Sequence, residues 1–314
     1  MFRRMIRFAA FVFACKASVV IAVDHDDISW LEHTPLEHHE IGDTLNLRYV
    51  FVAGFLNESI PFYFTDNQKS LQANGIAEDR IHRIYPPSNQ RIIAGSDFVK
   101  DRMDVLLAKD ERELVLIGHS KGAVEALLYA IRNSEVIKER VRAVILIQGA
   151  FRGSAVADYL ANQSTVIPDN RMPWHARLSF LAYKYMSYII HPFVIRGLSS
   201  LLTSRTEKIL RLHYTFKPDA ATNLRDKVFY VTSARRPHKI ADLIRTTAYY
   251  LHTYFGPSDG LVLKRDQSLP WVGRVIADLN ADHAGLTTSF PVSNAHWSQR
   301  HSFTTNLLRF VARF

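Results

Sequence analysis

The chain has 314 residues, 47% of them hydrophobic, enough for one sizeable core or a domain with a cap, and its 22% charged residues exclude disorder as the main state. A single Cys excludes an intrachain disulfide and a thiolate metal cluster. The formal charge of +9 favours anionic surfaces, but the cations are scattered, which argues against a nucleic-acid-binding face.

Residues 1–23 have the pattern of a secretory signal peptide. Arg3, Arg4 and Arg7 precede an apolar run from Phe8 to Cys15 and a second from Ser18 to Val23, and the first acids are Asp24, Asp26 and Asp27. Cleavage is expected near Ala22, which removes four cations and no anion and leaves the mature chain mildly basic. An uncleaved membrane anchor is the weaker alternative, because Lys16 splits the apolar stretch below the ~20 residues a span needs. The expected location is secreted or periplasmic.

From about residue 40 to residue 314, apolar runs of strand length alternate with helix-compatible stretches. Strands are expected at 45–51, 81–85, 114–117, 141–147, 228–232 and 272–276, and helices around 70–74, 96–109, 123–131 and after His301. This rhythm implies an α/β fold with a mainly parallel, doubly covered sheet. Residues 154–225 exceed a simple crossover of about a dozen residues and read as a helical cap or lid. Its middle is aromatic, with Trp174, Phe180, Tyr183, Tyr185, Tyr188 and Phe193, and Pro192 and Gly197 divide it. Those rings either meet a lipid surface, with Lys184, Arg196, Arg205, Lys208 and Arg211 towards head groups, or form the cap's own core.

Between the strand at 114–117 and the helix at 123–131 stands Gly118-His119-Ser120-Lys121-Gly122, a nucleophile elbow in its required context. Glycine at Gly118 and Gly122 lets a tight turn carry Ser120 with its hydroxyl projecting. An oxyanion hole needs two backbone donors; the amide of Lys121 follows the nucleophile, and that of Phe55 follows the first strand. The serine needs a base and the base an orienting acid, in chain order Ser, acid, His. Asp259 in Ser258-Asp259-Gly260-Leu261-Val262 and His283 in Asp282-His283-Ala284 are the economical choice. His296 and His301 are rival bases, and His283 is preferred to both.

Four segments together resemble the bacterial true-lipase branch of the α/β-hydrolases. They are Val52 to Phe55, the elbow, Gly149 to Asp158 with its Arg152-Gly153-Ser154, and Ser258 to Val262 with the later Asp282-His283. The resemblance implies hydrolysis of lipid carboxylic esters through an acyl-enzyme, under a mobile lid, with Ser120, Asp259, His283 and the amides of Phe55 and Lys121 at the family's functional positions. It departs from the family at Ala53-Gly54, where His-Gly is common, and at Gly285, where a calcium-binding Asp is common; no metal and no cofactor are expected. The expected partner is a lipid or ester substrate, with transient lipid-surface contact through the cap and no nucleic acid. An acyltransferase using the same triad and a catalytically silent lipid-binding relative are the alternatives.

Overall fold

Continuous apolar strands need cover on both faces, and they receive it. The computed structural model describes residues 42–60, 62–161, 164–189, 197–289, 295 and 297–313. Strands β1 (Arg48–Val52), β2 (Ile81–Ile84), β3 (Leu114–His119), β4 (Val141–Ile147), β5 (Val228–Ser233) and β6 (Arg274–Leu279) form one sheet in the order β2-β1-β3-β4-β5-β6. Every neighbouring pair is parallel. The connections hold α1 (Thr65–Ala73), α2 (Ile92–Lys109), α3 (Lys121–Arg132), α4 (Ser134–Arg140), α5 (Ala155–Leu160), α6 (Trp174–Ile189), α7 (Thr206–Thr215), α8 (Ala220–Asn223) and α9 (Asp242–Tyr254), and α10 (Trp297–Val311) follows β6.

Side chains alternate across each strand. Val50, Leu116 and Val144 therefore enter one core with Val99 and Met103 of α2 and Leu127 of α3. Tyr49, Phe51, Val115 and Ile145 enter the other with Leu71 of α1 and Phe303 and Leu307 of α10. Each such side chain withdrawn from water contributes about 1.5–3 kcal/mol, so the two faces dominate the stability. The expected doubly covered parallel sheet is present.

Several boundaries differ from the sequence reading, for local reasons. Asp43–Asn46 forms a 3-10 turn, so β1 begins at Arg48. Helix α2 begins at Ile92 rather than 96, with Ile92 buried. Strand β6 lies at the sheet edge with Arg274 and Val275 exposed, which weakened its apolar signal and displaced it from 272–276. Residues 1–41, and with them the signal-peptide expectation, lie outside the described residues, as do Pro192, Phe193, Arg196 and His296 and the side chains of Tyr183, Lys184, Tyr185 and Tyr188.

The long connection from β4 to β5 carries α5 to α8. Phe180 of α6 is fully buried, stacked on Tyr159 of α5 at 4.5 Å and on Tyr250 of α9 at 4.4 Å between ring centres. Trp174 and Leu178, on the opposite side of the same helix, are 73% and 63% exposed. The described side chains of α6 thus both form a core and present an apolar face. Among the described residues, no helix is long and apolar enough to cross a membrane.

Candidate active site

Strand β3 ends at His119 and α3 begins at Lys121, leaving Ser120 alone in the turn at φ 57°, ψ −126°. That positive φ is strained for a side-chain-bearing residue. It is tolerated because the turn is tied: Ser120 N–H donates to the Ile147 carbonyl of β4 at 3.0 Å. A Cβ at Gly122 would strike the Val52 and Ala53 carbonyls, and one at Gly118 would lie 2.6 Å from Ala123 Cα. Only glycine allows β1, β3 and α3 to meet so closely.

The structure brings Ser120, His283 and Asp259 together. Ser120 Oγ is 2.8 Å from His283 Nε2, and His283 Nδ1 is 2.7 Å from Asp259 Oδ2. The Asp259 carboxylate is fully buried. Its Oδ1 accepts the amides of Leu261 and Val262, and its Oδ2 also accepts Gln267 Nε2 at 3.0 Å. A carboxylate so placed only accepts, so Nδ1 of His283 carries the hydrogen and Nε2 presents its lone pair to the Ser120 hydroxyl. The His283 amide donates to the Asp259 carbonyl at 2.8 Å, which joins the two loops by backbone as well. Asp282, buried beside it, accepts from the amides of Ala241 and Ala284, and burial pushes its carboxyl pKa up.

The Phe55 loop lies against the serine: a Cβ at Gly54 would come 2.8 Å from Ser120 Cβ. Gly54 N–H donates to Tyr63 Oη and Leu56 N–H to Ser88 Oγ. Between them the Phe55 amide has no acceptor among the described residues, and neither has the Lys121 amide at the start of α3. Both are free to receive an anion. The Lys121 side chain is turned away and buried, paired with Glu125. Ser154 Oγ donates to the Leu261 carbonyl at 2.7 Å, so the Arg-Gly-Ser segment braces the Asp259 turn.

His301 lies inside α10 with its ring 5.2 Å from that of Trp297, not ahead of the helix as expected. The rival His296 is outside the described residues. Sequence reasoning missed Tyr63, His119, Gln148 and Gln267, all buried around the three central residues. His119 alone had a signal, its place inside the elbow. Among the described residues, no group of three or more His, Cys, Asp or Glu is arranged to hold a metal ion.

A metagenomic carboxyl esterase of known structure is similar, with a TM-score of 0.60 and 19% identity over 86% of this chain and 76% of its own. A lipase of Bacillus licheniformis in its mature form gives a TM-score of 0.56 and 16% identity over 83% of this chain and 91% of its own. At such identities the likeness is one of fold. In sequence, the sn-1-specific diacylglycerol lipase of Mus musculus is 27% identical over 183 residues, 56% of this chain. The match spans 58% of that relative's length. No family model matches the chain.

Proposed function

We propose that this α/β-hydrolase is a serine hydrolase that cleaves carboxylic esters of lipids through an acyl-Ser120 intermediate. The observation that carries the reading is the continuous pair of hydrogen bonds from Ser120 Oγ to His283 and from His283 to a fully buried Asp259.

In this reading His283 Nε2 takes the Ser120 proton as Oγ bonds to the ester carbonyl carbon. The oxyanion formed is held by the amides of Phe55 and Lys121. His283 then returns the proton to the alcohol, whose bond to the acyl carbon breaks. Water, deprotonated by the same nitrogen, releases the acid and frees Ser120. Asp259 keeps the ring in the required tautomer and stabilises its charged form.

The lipid character of the substrate is supported by α6, where Trp174, Leu178 and Leu181 are exposed on one helical face. It is also in keeping with the similarity to esterases and lipases. Residues 154–225 then serve as the cap that meets a lipid surface, and residues 1–23 as the export signal.

Labelling with a fluorophosphonate and hydrolysis of p-nitrophenyl esters test the reading. Wild type is expected to label at Ser120, and Ser120→Ala is expected to keep its fold, lose labelling and lose turnover by about 10³-fold or more. Full turnover in Ser120→Ala would remove the assignment.

A further inference from the structure

Tyr63, His119 and Gln148 take no part in the steps above, yet they lie between the loops that carry them. His119 Nε2 is 2.9 Å from the His283 carbonyl and 3.2 Å from Gln148 Oε1. Gln148 spends its Nε2 on the Asp282 carbonyl and Ser233 Oγ, which orients its amide with Oε1 towards His119. Facing two acceptors, His119 Nε2 carries the hydrogen. Its Nδ1 is then a lone pair, and it accepts the Tyr63 hydroxyl at 2.5 Å. Tyr63 Oη in turn accepts the Gly54 amide at 3.0 Å.

The bonds therefore run one way: Gly54 to Tyr63, Tyr63 to His119, and His119 to the backbone of His283. All the side chains are buried. Burial and the neighbouring His283 hold the His119 pKa well below its ordinary value, so the ring stays neutral and the direction does not reverse. Burial also pushes the Tyr63 hydroxyl upward, keeping it a donor.

One end of this chain sits at the oxyanion loop. The Gly54–Phe55 peptide is planar, so the Gly54 carbonyl and the Phe55 N–H point in opposite directions. Asn57 Nδ2 holds that carbonyl at 2.9 Å, Tyr63 holds the Gly54 amide and Ser88 holds the Leu56 amide. Of the Gly54, Phe55 and Leu56 amides, that of Phe55 has no acceptor among the described residues. The other end is the main chain of His283, whose ring touches Ser120.

We propose that His119 is a positioning residue, a relay of fixed direction that holds the Phe55 amide and the His283 ring at one spacing about Ser120. The proposal rests on the serine-hydrolase reading. It assigns a task to the second residue of the elbow, which the chemistry itself leaves free.

The test measures kcat and KM on a soluble short-chain ester, with completeness of fluorophosphonate labelling, for wild type, Tyr63→Phe, His119→Gln and the double variant. His119→Gln keeps a donor towards the His283 carbonyl and removes the acceptor of Tyr63. Each single variant is expected to lower kcat about tenfold to a hundredfold with KM within about twofold, because small misplacements cost that much. Ser120 still labels to completion. The double variant is expected to be no slower than the slower single, since both changes cut the same relay.

Wild-type kcat in the single variants, or losses that multiply in the double, overturns the relay while leaving the serine-hydrolase reading intact. Absence of labelling and hydrolysis in wild type removes both. If Tyr63→Phe does not fold, His119→Gln and His119→Asn carry the test. Lowered kcat with KM kept supports the relay, and a lowered melting temperature with unchanged kcat overturns it.

Discussion

Lys121 and Glu125 put two opposite charges inside the protein one helical turn apart, each 1% exposed. One carboxylate oxygen of Glu125 receives the Lys121 ammonium, and the other has no partner among the described residues. A Cβ at Gly95 would overlap that carboxylate, so the glycine of α2 makes its space. Desolvation outweighs the ion pair and pushes the Glu125 pKa up to about 7. The folded state then holds this proton more tightly than the unfolded chain, where Glu titrates near 4.3. Stability from this group is full below that ordinary value, falls as pH rises and levels off above about 7. Asp266, pushed up to about 6 by burial, acts in the same sense. Urea unfolding at pH 5 and pH 8 is expected to show a loss about 2 kcal/mol larger in wild type than in Glu125→Gln. Equal losses would show that Glu125 ionises freely in the fold. None of this was visible in the sequence, where Lys121 counted only for its backbone. Ser120, Asp259 and His283 were visible, because their local turns and their order along the chain carry the pattern. Tyr63, Gln148 and Gln267 were not, since each acts on a residue or loop distant in sequence or named by no motif.

The elbow is legible as an element because its constraint is local. An apolar strand, a five-residue turn with glycine at both ends and an Ala-rich helix describe one supersecondary unit. What the sequence does not contain is what the glycines avoid. Gly122 faces the end of β1, about seventy residues earlier in the chain, and its contacts there are carbonyl oxygens with no room to yield. Gly122→Ala is therefore expected to destabilise the protein by about 1–3 kcal/mol, as overpacking against backbone does, and to lower turnover by shifting the Lys121 amide. The urea midpoint and kcat check it; both unchanged would mean that β1 and α3 move apart more easily than their spacing implies. Strand β6 was less legible than the central strands. β6 lies at the edge with alternating exposure, so its residues lack the buried run that marked β3 and β4.

At the scale of the molecule, parallel strands make the site possible. Successive strands in a parallel sheet point the same way, so Phe55 after β1 and Ser120 after β3 emerge at the same end of neighbouring strands. His283 follows β6, and its loop reaches back to Ser120 as the sequence order implied and also to His119 through its carbonyl, a bond that no local pattern could foretell. The aromatic segment raised a question that sequence left open, and its described side chains divide between a packed side and an exposed one. Phe180 and Ala176 fill the core with Tyr159 and Tyr250, while Trp174, Leu178 and Leu181 face outward at intervals of four and three residues. A face of this kind gains on entering a lipid interface, by roughly 1.5 kcal/mol or more for each large side chain buried. Replacing Trp174, Leu178 and Leu181 together by Ser is expected to lower sedimentation with phosphatidylglycerol-containing vesicles by tenfold or more. Turnover of an emulsified long-chain ester should fall with it, while a soluble short-chain ester is hydrolysed within about twofold of wild type, because all three side chains face outward. Unchanged vesicle binding would leave the exposed face without a lipid role. A parallel loss on both substrates would instead place those side chains in the support of the site, with α6 acting through Phe180 on α5 and α9.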